Sequence, residues 1–376
     1  MSLEGKKVLV TGGTGFIGGR LVERLVLEWG AQVRVLVRNF ARAVRVARFP
    51  IEMVPGDATD ANAMKSAAKG CDVIFHCAYG TADTPEKQKA VALKAVEAVA
   101  QAALENKVSR LVHVSTFSVY GATPDGDLTE TAPRRHTGDP YADSKVAAEE
   151  RILEYHRRDK LPVAVVQPTV VYGPFGWVWT VRPVQQLKNN RVVLVNGGTG
   201  LCNAVYVDDV VEGMVLAATR EEAVGEAFLL SGTEPVTWRE FYSSYEKALG
   251  VQSTLSMMVD EIRAELARQR KSKGTVAQLR RAIHSPKVHK KLRKLPVVSK
   301  LTTDGFWEKL EQPQSEQTEK PLFAPPESQL PMFTAKSRVR IDKARAKLGY
   351  QPRFDFRRGM ELTAKWIAWA NLVDTR

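Results

Sequence analysis

Thr11-Gly12-Gly13-Thr14-Gly15-Phe16-Ile17-Gly18 lies between the aliphatic run KKVLV and a segment with helical spacing, and this stretch decides how the rest of the chain is interpreted. Glycine allows a tight turn and a close approach of the backbone to a ligand, because no Cβ stands in the way. Between a strand and a helix, such a turn places the pyrophosphate of a dinucleotide at the helix N-terminus. We therefore predict a dinucleotide site at the start of the chain.

The segments that follow alternate between short apolar runs and stretches with helical spacing. The apolar runs have the length of strands that are buried on both faces of a parallel sheet. This alternation predicts an α/β fold, a Rossmann doubly wound parallel sheet, with a smaller C-terminal substrate-binding lobe. The predicted strands contain KKVLVTG, VRVLVR, CDVIFHCA, RLVHVS and PVAVVQP, and the predicted helices span 18–28, 60–67, 87–105 and 143–158.

The α/β rhythm loosens after Pro174, and it is lost near residue 253, where a basic and proline-rich stretch begins. This change predicts two parts of the chain with one insertion. The dinucleotide-binding domain is predicted at 1–174 with a return at about 203–230, the substrate lobe at 175–202 and 231–376, and the insertion at about 253–335.

Composition excludes several classes of protein. The 376 residues are 44% hydrophobic and 26% charged, as in an ordinary globular chain and not in a disordered one. No run approaches the ~18 apolar residues of a membrane span, and the N-terminus lacks a signal-peptide core. The 3 cysteines and 6 histidines follow no disulfide or zinc pattern. We expect a cytoplasmic protein without a bound metal.

The net charge of +13 is concentrated in one segment. Residues 261–309 contain 14 Lys/Arg and 4 Asp/Glu, a local net charge of +10, so the rest of the chain is nearly balanced. No nucleic-acid-binding module accompanies this segment, and we expect no nucleic-acid partner. Peripheral contact with an anionic membrane, or with a phosphorylated substrate, stays an open alternative to a solvated helical insertion, which we favour.

A second motif, Tyr141-Ala142-Asp143-Ser144-Lys145, places a phenol and an ammonium on one face of a predicted helix. A phenol with an ordinary pKa near ~10 is a poor acid–base group at neutral pH, and a nearby ammonium favours its phenolate. A surface tyrosine–lysine pair has the same spacing. Here the pair follows a strand end rich in hydroxyls, HVSTFSVYG (113–121), at the sheet edge where open α/β sheets bind ligands.

Together these motifs resemble the extended short-chain dehydrogenase/reductase family, in its NAD-dependent epimerase/dehydratase group. The resemblance covers about 6–250 and 338–370. Besides TGGTGFIG, VSTFSVYG and YADSK, it rests on GDATD (56–60), VIFHCA (73–78), QPTVVYGP (167–174), VYVDDVV (205–211) and KARAKLGYQP (343–352).

The resemblance implies hydride transfer between a nicotinamide and a carbinol or carbonyl carbon. It makes Tyr141 the acid–base group and Lys145 its partner, while Thr116 holds the reacting oxygen. Both Tyr141 and Lys145 also contact the cofactor. The other implied cofactor residues are Gly12, Thr14, Gly15, Phe16, Ile17 and Gly18 in the loop, Asp57 and Ala58 at the adenine, Cys77 and Ala78 along the cofactor, and Pro168 and Val170 beside the nicotinamide.

The second predicted strand ends in Arg38, where relatives that prefer NAD carry an acidic residue for the ribose 2′-hydroxyl. A guanidinium at this position, with Arg42 nearby, suits a 2′-phosphate. We therefore predict NADP as the cofactor, with NAD as the alternative if Arg38 only stacks on the adenine.

Other departures from the family concern the substrate. Sugar dehydratases carry an acidic residue directly after the catalytic threonine, whereas this chain has Phe117 and Ser118. Cys202 replaces an arginine that nucleotide-sugar enzymes use for the substrate pyrophosphate, and Gln167 stands where an arginine is common. These differences argue against a dehydratase and weaken a nucleotide-sugar substrate without excluding it, because Arg182 is an alternative arginine for the substrate pyrophosphate.

An aromatic run opens the predicted substrate lobe. Phe175, Trp177 and Trp179 are candidate substrate residues that line an apolar pocket, unless they form the core of the lobe. We favour an oxidoreductase acting on a small carbonyl or alcohol compound, in a homodimer. A nucleotide-sugar C4 epimerase with retained NAD uses the same Thr-Tyr-Lys set, and a non-catalytic NADP-sensing protein is a further alternative.

Overall fold

The computed structural model describes residues 1–121, 125–269 and 320–372. Most of the basic insertion predicted at 253–335 lies outside these residues, and so does the segment on which the membrane hypothesis depends. None of the helices within the described ranges is long and apolar enough to cross a membrane.

Strands and helices alternate through the first 230 residues, and shorter elements follow. The strands are β1 (Lys7–Thr11), β2 (Gln32–Val37), β3 (Glu52–Pro55), β4 (Val73–His76), β5 (Arg110–Val114), β6 (Asp127–Leu128), β7 (Val163–Pro168), β8 (Val170–Tyr172), β9 (Arg191–Val195), β10 (Leu201–Cys202), β11 (Ala204–Tyr206), β12 (Ala227–Leu230), β13 (Val236–Thr237), β14 (Thr254–Met257), β15 (Leu322–Phe323) and β16 (Arg338–Val339).

The helices are numbered in the order in which they occur along the chain. They are α1 (Phe16–Leu27), α2 (Ala61–Ala68), α3 (Pro85–Glu105), α4 (Pro140–Asp159), α5 (Arg182–Asn189), α6 (Val207–Thr219), α7 (Trp238–Leu249), α8 (259–269), α9 (Leu330–Thr334), α10 (Asp342–Leu348) and α11 (Phe356–Trp369).

The central element is a seven-stranded parallel sheet with the order β3-β2-β1-β4-β5-β7-β12. The chain order reverses between β1 and β4, since β2 and β3 extend the sheet on one side and β4 and β5 on the other. This is the point at which open α/β sheets bind ligands, beyond the carboxyl ends of the strands. The predicted Rossmann fold is confirmed.

Alternate residues of the central strands enter two separate cores. In β1, Val8 and Val10 pack on the side of α1 and α6, whereas Leu9 packs on the side of α2, α3 and α4. Because both faces are covered by helices, the strand sequences are apolar over most of their length, although buried polar residues such as Arg34, His76 and His113 interrupt them.

The later elements form a second group of small sheets. Strand β9 lies between β14 and β15, parallel to both, while β8 pairs with β11 and β10 pairs with β13. Helix α7 packs the rings of Trp238, Phe241 and Tyr245 beneath these strands, and all three are buried. This group carries the aromatic run that follows β8.

Candidate active site

The glycine-rich loop closes tightly onto the end of β4. Gly12 has a φ of +69°, and a Cβ at this position would lie 2.7 Å from the backbone nitrogen of Ala78. A Cβ on Gly18 would overlap the carbonyl oxygen of Gly12. Only glycine fits at these two positions, because the loop, the first turn of α1 and the end of β4 are in direct contact.

The N-terminus of α1 faces this loop with its backbone N–H groups uncapped. Gly15 is the N-cap, no side chain accepts a hydrogen bond there, and the first turn contains no acidic residue. The N–H groups of Phe16, Ile17 and Gly18 are therefore suited to an anion. Together with Thr14 in the loop, they fit the pyrophosphate of a dinucleotide.

Arg38 and Asp57 lie at the far end of the crevice, just after β2 and β3. A nitrogen of the Arg38 guanidinium is 3.5 Å from an oxygen of Asp57, and the Arg38 side chain is 69% exposed. Burial acts to raise the pKa of Asp57, but hydrogen bonds from Thr59 and the charge of Arg38 hold it below its ordinary value. Ala58 is partly buried beside them. This end of the crevice presents one largely free guanidinium to a ligand.

The chain after β4 forms the opposite wall. The Cys77 backbone N–H donates to the Thr11 carbonyl at 3.1 Å, and the Ala78 N–H donates to the Thr11 hydroxyl at 3.4 Å. Burial raises the pKa of the Cys77 thiol to about 12, so the thiol is not ionised at neutral pH. Pro168 ends β7 and Val170 begins β8, at the point where the chain leaves the central sheet.

Thr116 and Tyr141 come together at the carboxyl edge of β5. Thr116 caps the 3₁₀ turn Phe117–Tyr120, and its hydroxyl accepts a hydrogen bond from the Ser118 N–H at 3.2 Å. Tyr141 lies in the first turn of α4 and is 41% exposed. Burial of the phenol raises the pKa of Tyr141 to about 12, and a hydrogen bond with the Thr116 side chain opposes this shift. The phenol is protonated at neutral pH.

Lys145 lies one turn further along α4 and is 7% exposed. Its ammonium donates a hydrogen bond to the Val114 carbonyl at 2.8 Å. Burial lowers the pKa of Lys145 to about 8, and the neighbouring Glu149 carboxylate partly offsets this shift. Within the part of the chain that the structure describes, this ammonium forms no hydrogen bond with Tyr141, and the phenol–ammonium pair stays a prediction.

Comparison with known proteins now identifies the group to which the chain belongs. The family model for the NAD dependent epimerase/dehydratase family matches residues 8–230. The chain belongs to this family.

Two curated relatives of the family act on different substrates. A 4-hydroxy-2-methyl-3-oxo-4-farnesyl-3,4-dihydroquinoline-1-oxide ketoreductase from Stigmatella aurantiaca is 31% identical over 256 residues, which cover 66% of this chain and 74% of the relative. A dTDP-D-glucose 4,6-dehydratase from Mus musculus is 30% identical over 234 residues, which cover 58% of this chain and 66% of the relative.

Solved structures of the family have the same fold. The epimerase of the methanogen Methanothermobacter thermautotrophicus superposes with a TM-score of 0.73 at 21% identity, over 98% of this chain and 95% of that one. The catalytic chemistry of these proteins is of the NAD-dependent reductase, dehydratase and dehydrogenase type, and this chain is an enzyme of that type.

The structure places Tyr79 beside the candidate residues Tyr141 and Lys145. The Tyr79 ring meets the Tyr141 ring edge-on, with centroids 5.2 Å apart, and the Lys145 ammonium lies 5.2 Å from the Tyr79 centroid. It is 37% exposed. Sequence reasoning missed this residue, although its place directly after Cys77 and Ala78 was a signal, because those two residues were already assigned to the cofactor.

The three aromatic candidates after β8 lie in different environments. The centroid of the Phe175 ring is 5.1 Å from that of Trp366. The Arg45 guanidinium lies over the same Phe175 ring, beside the start of α1. Trp177 is 59% exposed. Trp179 packs against Trp238 at 5.4 Å. Of the three, Trp179 lines a cleft of this lobe, Trp177 lies on its rim, and Phe175 belongs to the contact with α1 and α11.

The cleft beside Trp179 has a cavity volume of about 60 Å³, which is room for a few water molecules. Its lining is mainly aromatic and aliphatic, with Arg182 at the side: Val178, Trp179, Pro183, Val192, Val193, Tyr242, Phe323, Pro325 and Phe333, together with Gln186 and Gln329.

Proposed function

We propose that the protein is an NADP-dependent oxidoreductase that interconverts a carbonyl and an alcohol on a small, largely apolar molecule. The observation that carries the proposal is the grouping of the Thr116 hydroxyl and the Tyr141 phenol at the carboxyl edge of β5, with Lys145 one turn behind them. The glycine loop follows β1 and the Thr116 turn follows β5, and β4 lies between these two parallel strands, so both groups lie at the same carboxyl edge of the sheet.

The residues of the chain supply acid–base chemistry. A bound nicotinamide dinucleotide supplies or accepts the hydride. Tyr141, protonated at neutral pH because its pKa is about 12, gives its proton to the substrate oxygen during reduction. The Thr116 hydroxyl holds that oxygen, and the Lys145 ammonium stabilises the phenolate that Tyr141 becomes. In oxidation the same groups act in reverse.

We infer the substrate class from the groups that the site lacks, from the side chains that line the cleft and from one relative. Phe117 and Ser118 follow Thr116, so these positions offer no carboxylate for the removal of water. Cys202 is fully buried and does not reach a substrate phosphate. The cleft beside Trp179 is mainly apolar, although none of Thr116, Tyr141 and Lys145 lines it. The ketoreductase relative, whose named substrate carries a farnesyl chain, supports the same assignment.

The first experiment identifies the nucleotide released when the purified protein is heat-denatured. Released NADP, or an empty site that binds NADPH, supports an exchanging cofactor and net redox chemistry. Near-stoichiometric NAD would contradict the proposal and favour the nucleotide-sugar C4 epimerase, because epimerisation regenerates its cofactor within one turnover.

The second experiment tests whether the site is catalytic. Tyr141→Phe removes the proton donor, and we expect kcat for NADPH-dependent carbonyl reduction to fall by about 10²–10⁴-fold with cofactor affinity kept. Tyr155→Phe removes a hydroxyl from the same helix and serves as the matched control. Full activity in Tyr141→Phe would overturn the mechanism, and cofactor binding without any turnover in the wild type would favour a sensing role.

A further inference from the structure

A fully buried carboxylate lies one helical turn beyond Lys145. Glu149 is 0% exposed, and one of its oxygens accepts hydrogen bonds from Arg134 Nε at 2.6 Å and from Gln167 Nε2 at 2.8 Å. Its other oxygen accepts from Gln167 Nε2 at 3.0 Å. An ionised carboxylate is costly to bury without a cation. Within 1–121, 125–269 and 320–372, Arg134 is the only cation that pairs with Glu149.

Glu149 is part of a network that joins three elements of the site. Gln167, also 0% exposed, accepts a hydrogen bond from the Tyr120 hydroxyl at 2.8 Å and directly precedes Pro168. Tyr120 ends the 3₁₀ turn that Thr116 caps. The network therefore connects the helix of the acid–base group, the end of β7 and the turn that carries the oxygen-binding hydroxyl.

Arg134 comes from the loop 129–139, which leads directly into α4. The backbone N–H of Arg135 donates to the Val119 carbonyl at 2.8 Å, so this loop also contacts the Thr116 turn. The N–H groups of Thr137 and Gly138 donate to the Asp143 carboxylate at 2.8 and 3.0 Å. Since the residue before Pro168 is neutral here, the cation for the buried carboxylate has to come from the loop.

We infer that Arg134 is a positioning residue, whose ion pair with Glu149 fixes the Thr116 turn and the first turn of α4 relative to each other. The inference rests on the proposed oxidoreductase function. Arg134 touches neither the reacting oxygen nor the cofactor crevice in this arrangement. It acts through Glu149, on the distance between the Thr116 hydroxyl and the Tyr141 phenol.

Glu149 also affects the pKa of Lys145 through its negative charge. It raises the pKa of the ammonium, against the larger effect of burial. The other titratable groups around Lys145 in the described chain are neutral at pH 7, because burial lowers the pKa of both histidines and raises that of the thiol and the phenol: His76, His113, Cys77 and Tyr79. Glu149 is therefore the charged group whose removal we expect to change the pKa of Lys145.

The kinetic test compares Arg134→Gln with Arg134→Lys and with Arg135→Gln, an exposed neighbour in the same loop. We expect Arg134→Gln to lower kcat by about tenfold or more, because a buried charge loses its partner, while the Kd for NADPH stays unchanged. Arg134→Lys keeps much of the activity, and Arg135→Gln keeps all of it. The double variant Arg134→Gln/Glu149→Gln recovers part of the lost kcat, since it leaves no unpaired charge.

A second readout does not depend on substrate turnover. In protein labelled with ¹³C at lysine Cε, the Lys145 signal, assigned by its loss in Lys145→Arg, reports the Lys145 pKa by NMR titration. We expect Glu149→Gln to lower this pKa by about half a unit or more, because a nearby anion is removed, and Arg135→Gln to leave it unchanged.

The two readouts separate the inference from the proposed function. Wild-type protein without carbonyl reductase activity would refute the proposed function, and the titration would still decide whether Glu149 acts on Lys145. Unchanged kcat in Arg134→Gln would overturn the positioning role. So would equal losses of kcat and NADPH affinity in Arg134→Gln without recovery in the double variant, which is the pattern of general unfolding.

Discussion

Arg38 is the residue on which the choice between the two nicotinamide dinucleotides depends. Its guanidinium is mostly exposed and only partly occupied by Asp57. We predict that Arg38→Asp shifts the ratio of kcat/KM for NADPH over NADH towards NADH by about tenfold or more, because a carboxylate repels the 2′-phosphate and accepts from a 2′-hydroxyl. Arg42→Asp, a few residues further along, shows a smaller shift. An unchanged ratio in Arg38→Asp would remove the reason for assigning NADP.

Tyr79 is the second residue that distinguishes this site. Its ring contacts both Tyr141 and Lys145, so it lies beside the proposed acid–base group. We predict that Tyr79→Ala lowers kcat/KM for carbonyl reduction by about tenfold, since an aromatic contact beside the acid–base group is lost, and that Tyr79→Phe stays within about twofold. Steady-state kinetics at saturating NADPH measure both. Equal losses in the two variants would instead assign the effect to the hydroxyl.

At the scale of single elements, sequence patterns predicted the existence of the helices better than their ends. Helix α3 begins at Pro85 and α4 at Pro140, whereas the predicted helices began at 87 and 143. In each helix the proline occupies the first turn, and the preceding Thr84 or Asp139 caps the backbone N–H groups with its side-chain oxygen. Proline is compatible with a first turn, because the N–H groups there have no partner within the helix.

The strands of the central sheet were the most predictable elements, apart from the edge strand β3, which was not recognised. Their apolar runs are continuous because helices cover both faces, and a continuous run is recognisable without knowledge of its neighbours. The glycine loop was predictable for a similar reason, since Gly12 and Gly18 are required by close backbone contacts within the strand–turn–helix unit itself. The short strands β14 and β15 were not recognised, because their pairing partner β9 is distant in sequence.

At the scale of the whole molecule, Asp209 joins the central sheet to the C-terminal segment. It is 1% exposed on α6 and accepts hydrogen bonds from the backbone N–H groups of Arg353 and Phe354 at 2.7 and 3.2 Å. Burial raises the pKa of Asp209 to about 6, although these hydrogen bonds oppose the shift. The folded protein therefore holds this proton more tightly than the unfolded chain does.

The linkage predicts a pH dependence of stability. A carboxyl whose folded pKa lies above its unfolded value of about 3.9 favours the folded state at low pH, and this contribution is lost as the pH rises through 6. Between pH 5 and pH 8, the Tm of the wild type minus that of Asp209→Asn is expected to fall by about 2 °C. Differential scanning calorimetry of both proteins measures it. A constant difference would show that Asp209 does not titrate in this range.

The sequence by itself determined the fold class and the family, and it predicts the dinucleotide loop and the Thr116, Tyr141 and Lys145 set, because each depends on local periodicity or on a short motif. Only the tertiary structure decided what lies around these residues. It placed Tyr79 against the acid–base group, separated Phe175 from Trp179, and joined Arg134 to Glu149 beneath Lys145. These contacts join residues that are distant in the chain, and their energies come from burial and charge pairing that exist only once the sheet and its helices have assembled.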